Sequence, residues 1–146
     1  MKVEVRIDAS VSEPTVLVLT HGMTDEVQSI LRKLSETEPK MIVGFRDDTA
    51  AVLDEKEIIR IYAASGKVYA VLLTGEYLLK QRLYELEERL KPYCFVRISN
   101  SEVINLKKVK SFDLSYAGTI CVSLADNSTA YVSRRYVPKI KEVLGI

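Results

Sequence analysis

The first apolar run, Val3-Glu4-Val5-Arg6-Ile7, alternates with polar residues at a period of two and predicts a strand with one buried face. Ser12, Glu13 and Pro14 mark a turn, and Val16-Leu17-Val18-Leu19 predicts a second strand. The period then changes. Met23, Val27, Ile30, Leu31 and Leu34 form a helical stripe, with Thr24 placed to cap it and Glu38-Pro39 to stop it. Met41-Ile42-Val43 and Ala51-Val52-Leu53 read as further strands on either side of the polar turn Asp47-Asp48.

The second block begins near Ile58. Residues 58–64 and 67–73 are rich in strand formers and flank Ser65-Gly66, a hairpin signal. Leu79, Leu83, Leu86 and Leu90 are spaced for an amphipathic helix, closed by Pro92, which cannot continue the backbone ladder. Strands follow at 93–98 and over Phe112, Leu114 and Tyr116. Turns at Ala117-Gly118 and Asp126-Asn127 separate the alternating Ile120, Val122 and Leu124 from a short strand at 129–132. Val137, Ile140 and Leu144 mark a short closing helix.

At 146 residues the chain is long enough for a core without staples. Its net charge of +1 excludes a polybasic coat or an acidic disordered tail, but that average hides an asymmetry. Residues 91–146 carry nine Lys/Arg against four Asp/Glu, a balance of +5, and residues 1–90 carry −4. No apolar run reaches the roughly 18 residues of a membrane helix, and Glu4, Arg6 and Asp8 stand where a signal peptide would be apolar, so a cytoplasmic location is expected. Cys94 and Cys121 stand in apolar stretches without metal or redox spacing and read as core thiols.

Catalytic chemistry is poorly supplied. With the single His21 there is no second histidine for a metal site and no nucleophile triad, so no enzymatic activity, metal, cofactor or small-molecule substrate is expected. Gly66-Lys67 lacks the earlier glycine and the following Ser/Thr of a phosphate loop. The basic residues of the second half cluster differently, with neutral hydrogen-bonding residues in Ser65-Gly66-Lys67, Arg97-Ile98-Ser99-Asn100-Ser101 and Ser133-Arg134-Arg135-Tyr136. Arg offers a planar fork to guanine, Asn a donor and acceptor to adenine, and Ser and Lys reach phosphates. No helix-turn-helix, zinc-finger or RNA-recognition signature is present.

The stretch from Phe95 through Arg97, Ser99-Asn100-Ser101 and Ile104-Asn105-Leu106 to Val109, followed by Tyr131-Val-Ser-Arg-Arg-Tyr-Val137, closely resembles the LytTR family of bacterial DNA-binding domains. The resemblance covers roughly residues 41–146. It implies a mostly β (α+β), elongated domain of stacked sheets with a short C-terminal helix, which sets loops in successive major grooves. Carried over by position, it implies base reading by Lys67, Asn100 and Arg135. Some members have histidine at the position of Gly66, so here that loop's readout passes to Lys67 or is lost. Arg97, Ser99, Ser101, Lys107, Lys108 and Arg134 become candidates for contacts to the DNA backbone, and Asn105 looks structural, a turn residue bonding backbone.

Where response regulators of the family carry a phosphorylatable receiver, this chain has about forty residues, residues 1–40, expected to form a β-α-β extension that regulates or caps residues 41–146. It looks like the stand-alone regulators, which take a protein partner, sometimes a membrane protein. The expected function is specific binding of double-stranded promoter DNA, with a second copy on the operator at direct repeats spaced by whole helical turns, about 10 base pairs or a multiple. Five net positive charges predict about 4–6 phosphate contacts and a log–log salt slope of about −4 to −5. The alternative class is a protein-interaction or ligand-sensing adaptor whose basic loops bind an acidic partner.

Overall fold

Alternation becomes a strand only where a neighbour completes the ladder, and residues 41–146 supply such neighbours throughout. The computed structural model describes residues 1–35 and 41–146, which divide into two compact units, Met1–Lys40 and Met41–Ile146. Unit 1 holds the helix α1 (Asp25–Ser35). Unit 2 opens with β1 (Ile42–Arg46) and β2 (Thr49–Leu53), then β3 (Arg60–Ala64), β4 (Lys67–Leu72), β5 (Gly75–Leu79) and the helix α2 (Leu83–Leu90). After it come β6 (Phe95–Ser99), β7 (Glu102–Asn105), β8 (Val109–Asp113), β9 (Ile120–Leu124), β10 (Thr129–Val132) and the helix α3 (Val137–Leu144).

Seven strands form an antiparallel sheet in the order β2-β1-β5-β4-β3-β7-β6, and β10-β9-β8 form a second sheet. The tight turns follow the residues that tolerate left-handed backbone. Between β3 and β4, Ser65 and Gly66 have φ of 53° and 75°, the pair of positive values that a type I′ hairpin requires. Between β9 and β10 a single residue, Asn127 (φ 66°), takes left-handed backbone.

Two cores lie on opposite faces of the large sheet. Ile61, Leu79, Leu86, Leu90 and Val103 bury one face beneath α2. Ile59, Ile98 and Ile104 bury the other against Val122, Leu124 and Val132 of the small sheet and Ile140 of α3. Consecutive Ile58 and Ile59, both fully buried, serve one core each, as strand geometry dictates. The fold is therefore mostly β with stacked sheets and a short C-terminal helix.

Several expectations need correction. In unit 1 the helix α1 forms, with Thr24 Oγ1 accepting from the Val27 amide, but the strands expected at 3–7 and 16–19 do not. Their alternation finds no ladder partner among the described residues, so the β-α-β extension reduces to a helix after an unpaired segment. The expected helix stop at Glu38-Pro39 lies outside the described residues. Leu79 ends β5 instead of starting α2, because Gly75 opens a strand that pairs with β4 and fixes Leu79 opposite Val68. Leu114 and Tyr116 lie beyond the end of β8. Cys121 is buried, whereas Cys94 is exposed: it ends the 91–93 turn in left-handed conformation (φ 67°), which turns its side chain out of the strand that follows.

Candidate nucleic-acid interface

The three polar stretches come together because β3 and β7 are neighbours. The β3–β4 hairpin carries exposed Lys67, and beside it the Ala63 amide donates to Ser101 O at 2.8 Å, tying that hairpin to the Ser99-Asn100-Ser101 turn. On the other side the Ser133 amide donates to Ile98 O at 2.9 Å, which seats the Arg134–Tyr136 turn beside the same loop. The Tyr136 hydroxyl then donates to Asn100 Oδ1 at 3.3 Å. Lys67, Asn100, Arg134 and Arg135 are all exposed along this row.

Arg97 is placed differently from the other cations. Its Nε donates to Ser99 O at 2.6 Å, Nη2 to Asn100 O at 2.5 Å and Nη1 to Glu87 Oε2 at 2.7 Å. The guanidinium thus turns two carbonyls of the loop inward, and a carboxylate of α2 compensates its charge. Ser99 Oγ accepts from the Ser101 amide at 3.2 Å and stands 3.4 Å from Ser101 Oγ, closing the turn on itself. Asn100 stays exposed in this turn, with its Oδ1 accepting from Tyr136.

Lys107 and Lys108 are not part of this row. β7 runs from Glu102 beside the loop to Asn105, so the turn at Leu106–Lys108 lies at its far end, about 13 Å away at the usual rise per residue. Lys108 Nζ also lies 4.0 Å from Glu57 Oε2. Asn105 is 1% exposed; its Nδ2 donates to Ile58 O at 2.9 Å and its Oδ1 accepts from the Lys107 amide at 3.0 Å.

Arg60 is a further cation turned inward. Its Nε lies 2.7 Å from Glu102 Oε2 as an ion pair, and Nη1 reaches Thr129 O at 3.3 Å, bridging the two sheets. Burial pushes the Glu102 carboxyl above its ordinary range, with the Arg60 charge opposing the shift. Tyr62, on the neighbouring β3 position, is pushed up to about 12 by burial and by its 2.8 Å hydrogen bond to Glu76.

Sequence reasoning missed Tyr136 and Glu87 as parts of the site. The only signal for Tyr136 was its place directly after the arginine pair; Glu87 belongs to the exposed side of an amphipathic helix and gave none.

Comparison with known proteins bears on the family and the fold. Residues 48–145 match the family model described as LytTr DNA-binding domain. Over its whole length the chain is 33% identical to proteins named "Uncharacterized HTH-type transcriptional regulator" from Staphylococcus aureus strains NCTC 8325 and COL, covering 99% of each. A LytTr DNA-binding domain from Bacillus cereus shares the fold, with a TM-score of 0.70 at 20% identity over 73% of this chain and 99% of that one.

Proposed function

The chain belongs to the LytTR family of DNA-binding domains, and from that premise we propose that it is a transcriptional regulator that reads promoter DNA in the major groove with loops. The observation that carries this reading is the hydrogen-bonded row of three loops with Lys67, Asn100 and Arg135 exposed on it. Lys67, Asn100 and Arg135 read bases; Ser99, Ser101 and Arg134 position the loops on phosphates. Arg97 acts through Asn100 as a positioning residue, and Lys107 and Lys108 lie too far along β7 to share that groove. The relatives' names carry the term HTH-type, yet among the described residues no two helices are joined by a helix-turn-helix turn, which favours loops as the readers.

The family's role is binding, and we assign the chain no enzymatic activity. Among the described residues no helix is long and apolar enough to cross a membrane, which accords with a cytoplasmic regulator. Residues 41–146 form the DNA-binding domain and residues 1–40 its regulatory segment, contacted by a second copy or by a regulatory protein. Expressed alone, residues 41–146 should therefore keep most of the affinity for random duplex in a gel shift, and a large loss would assign residues 1–40 to DNA binding.

Selection from a pool of random duplexes tests the reading directly. The full chain should enrich one motif, repeated at about 10 base pairs or a multiple. Enrichment of no motif, together with tight binding of an acidic polypeptide, would leave the adaptor class standing. Tyr136→Phe should weaken binding to the enriched motif by about 0.5–1.5 kcal/mol, the worth of one hydrogen bond, and leave random-duplex binding nearly unchanged. Equal losses on both duplexes would remove Tyr136 from the readout.

A further inference from the structure

The segment before α1 has the sequence of a strand and pairs with nothing among the described residues. Val3, Val5 and Ile7 are 78%, 82% and 98% exposed, and Glu4 and Arg6 lie on the same side of the backbone with Arg6 Nε 3.5 Å from Glu4 Oε1. The charges are ordered in a particular way. About Val5 as centre, Lys2 mirrors Asp8, Val3 mirrors Ile7 and Glu4 mirrors Arg6. An antiparallel strand laid on its own copy about a two-fold through Val5 would therefore oppose every charge to its opposite and every apolar residue to an apolar one.

We propose that residues 2–8 pair with residues 2–8 of a second copy of this chain, forming a two-stranded antiparallel ribbon centred on Val5. The contact is isologous, so each favourable pair occurs twice, Glu4 with Arg6 and Lys2 with Asp8 from each copy. The rest of the chain offers no equal match. Residues 15–20 carry no charge, and the open-edge strands β2 and β10 carry none either; β6 carries Arg97 alone, and in β8 the register shift between Val109 and Ser111 interrupts the ladder at Lys110, so that it cannot mirror Asp113 in a regular ribbon. The ribbon gathers Val3, Val5 and Ile7 of both copies on one face, and an isolated ribbon is marginal in water without apolar cover. α1 of each copy leaves Leu31 and Leu34 exposed to provide it. This pairing is independent of which residues read DNA.

The test is sedimentation equilibrium of the full chain at low salt. Wild type should be dimeric. Arg6→Glu opposes two carboxylates at both charge pairs around Val5, and Glu4→Arg opposes two guanidinium groups there, so each variant alone should dimerise about tenfold more weakly or worse. The double variant Glu4→Arg with Arg6→Glu restores both pairs and should recover wild-type dimerisation. An equimolar mixture of the two single variants should also recover it, as a heterodimer, because one copy then brings two carboxylates and the other two guanidinium groups. A monomeric wild type, single variants that dimerise as well as wild type, or a double variant and mixture that fail to recover would each overturn the proposal.

Discussion

Raising salt fourfold, from about 50 to about 200 mM, should weaken binding of the chain to a random duplex about 40-fold, because each neutralised phosphate releases a counterion and contributes about −0.9 to the log–log slope. On a random duplex, which offers them no matching base, the three cations exposed on the loop row, Lys67, Arg134 and Arg135, all fall to phosphates and give a slope of about −2.7. The charge of the sequence alone, +5 after residue 90, predicts about −4 to −5 and a loss of about 500-fold over the same range. Placement accounts for the difference. Arg97 is committed to Glu87 and two carbonyls, and Lys107 and Lys108 stand beyond the far end of β7. A titration over several salt concentrations separates the two values. Replacing both Lys107 and Lys108 by Gln should leave the slope where it was. A wild-type slope of −4 or steeper, falling by about two in that variant, would put both lysines on the DNA, and a slope near zero would remove DNA as the ligand.

What the sequence makes legible is local. Ser65-Gly66 and Asp126-Asn127 announce hairpins because few residues accept positive φ, and both turns form where the dipeptides stand. Asn105 is legible for the same reason, as a residue that bonds nearby backbone. Patterns that need a distant partner are less so. Val3 to Ile7 alternates as well as any strand in the chain, but a ladder needs a neighbour that periodicity does not name. Leu79 fits the stripe of α2 as well as it fits β5, and pairing with Val68 decides for the strand. Within the site, residue type points to Arg97 as a phosphate contact, while its role depends on Glu87, ten positions upstream on another element. Lys107 stands seven residues after Asn100 in the chain, and a four-residue strand between them carries it away.

Arg135→Ala should cost about 1–3 kcal/mol on the selected motif and much less on random duplex, lowering the ratio of specific to non-specific binding. The adjacent arginines face different surroundings. Arg134 lies against the β8–β9 turn, where a Cβ built on Gly118 would come within 3.1 Å of its Nε. Arg135 has its guanidinium carbon 6.0 Å from the centre of the Tyr136 ring, and that same tyrosine holds Asn100. A cation–π contact at this distance leaves the donors of the planar fork free, and on the proposed reading Arg135 gives two of them to one guanine. Arg135→Lys should lose the same selectivity, since an ammonium keeps the charge and not the fork. Arg134→Ala should weaken both duplexes alike, as loss of a phosphate contact does. If Arg135 reads guanine, replacing that guanine in the motif should cost wild type about as much as Arg135→Ala does and cost the variant little more. Measured on both duplexes at one salt concentration, equal losses for Arg135→Ala, or a guanine replacement whose cost is unchanged in the variant, would make both arginines phosphate clamps.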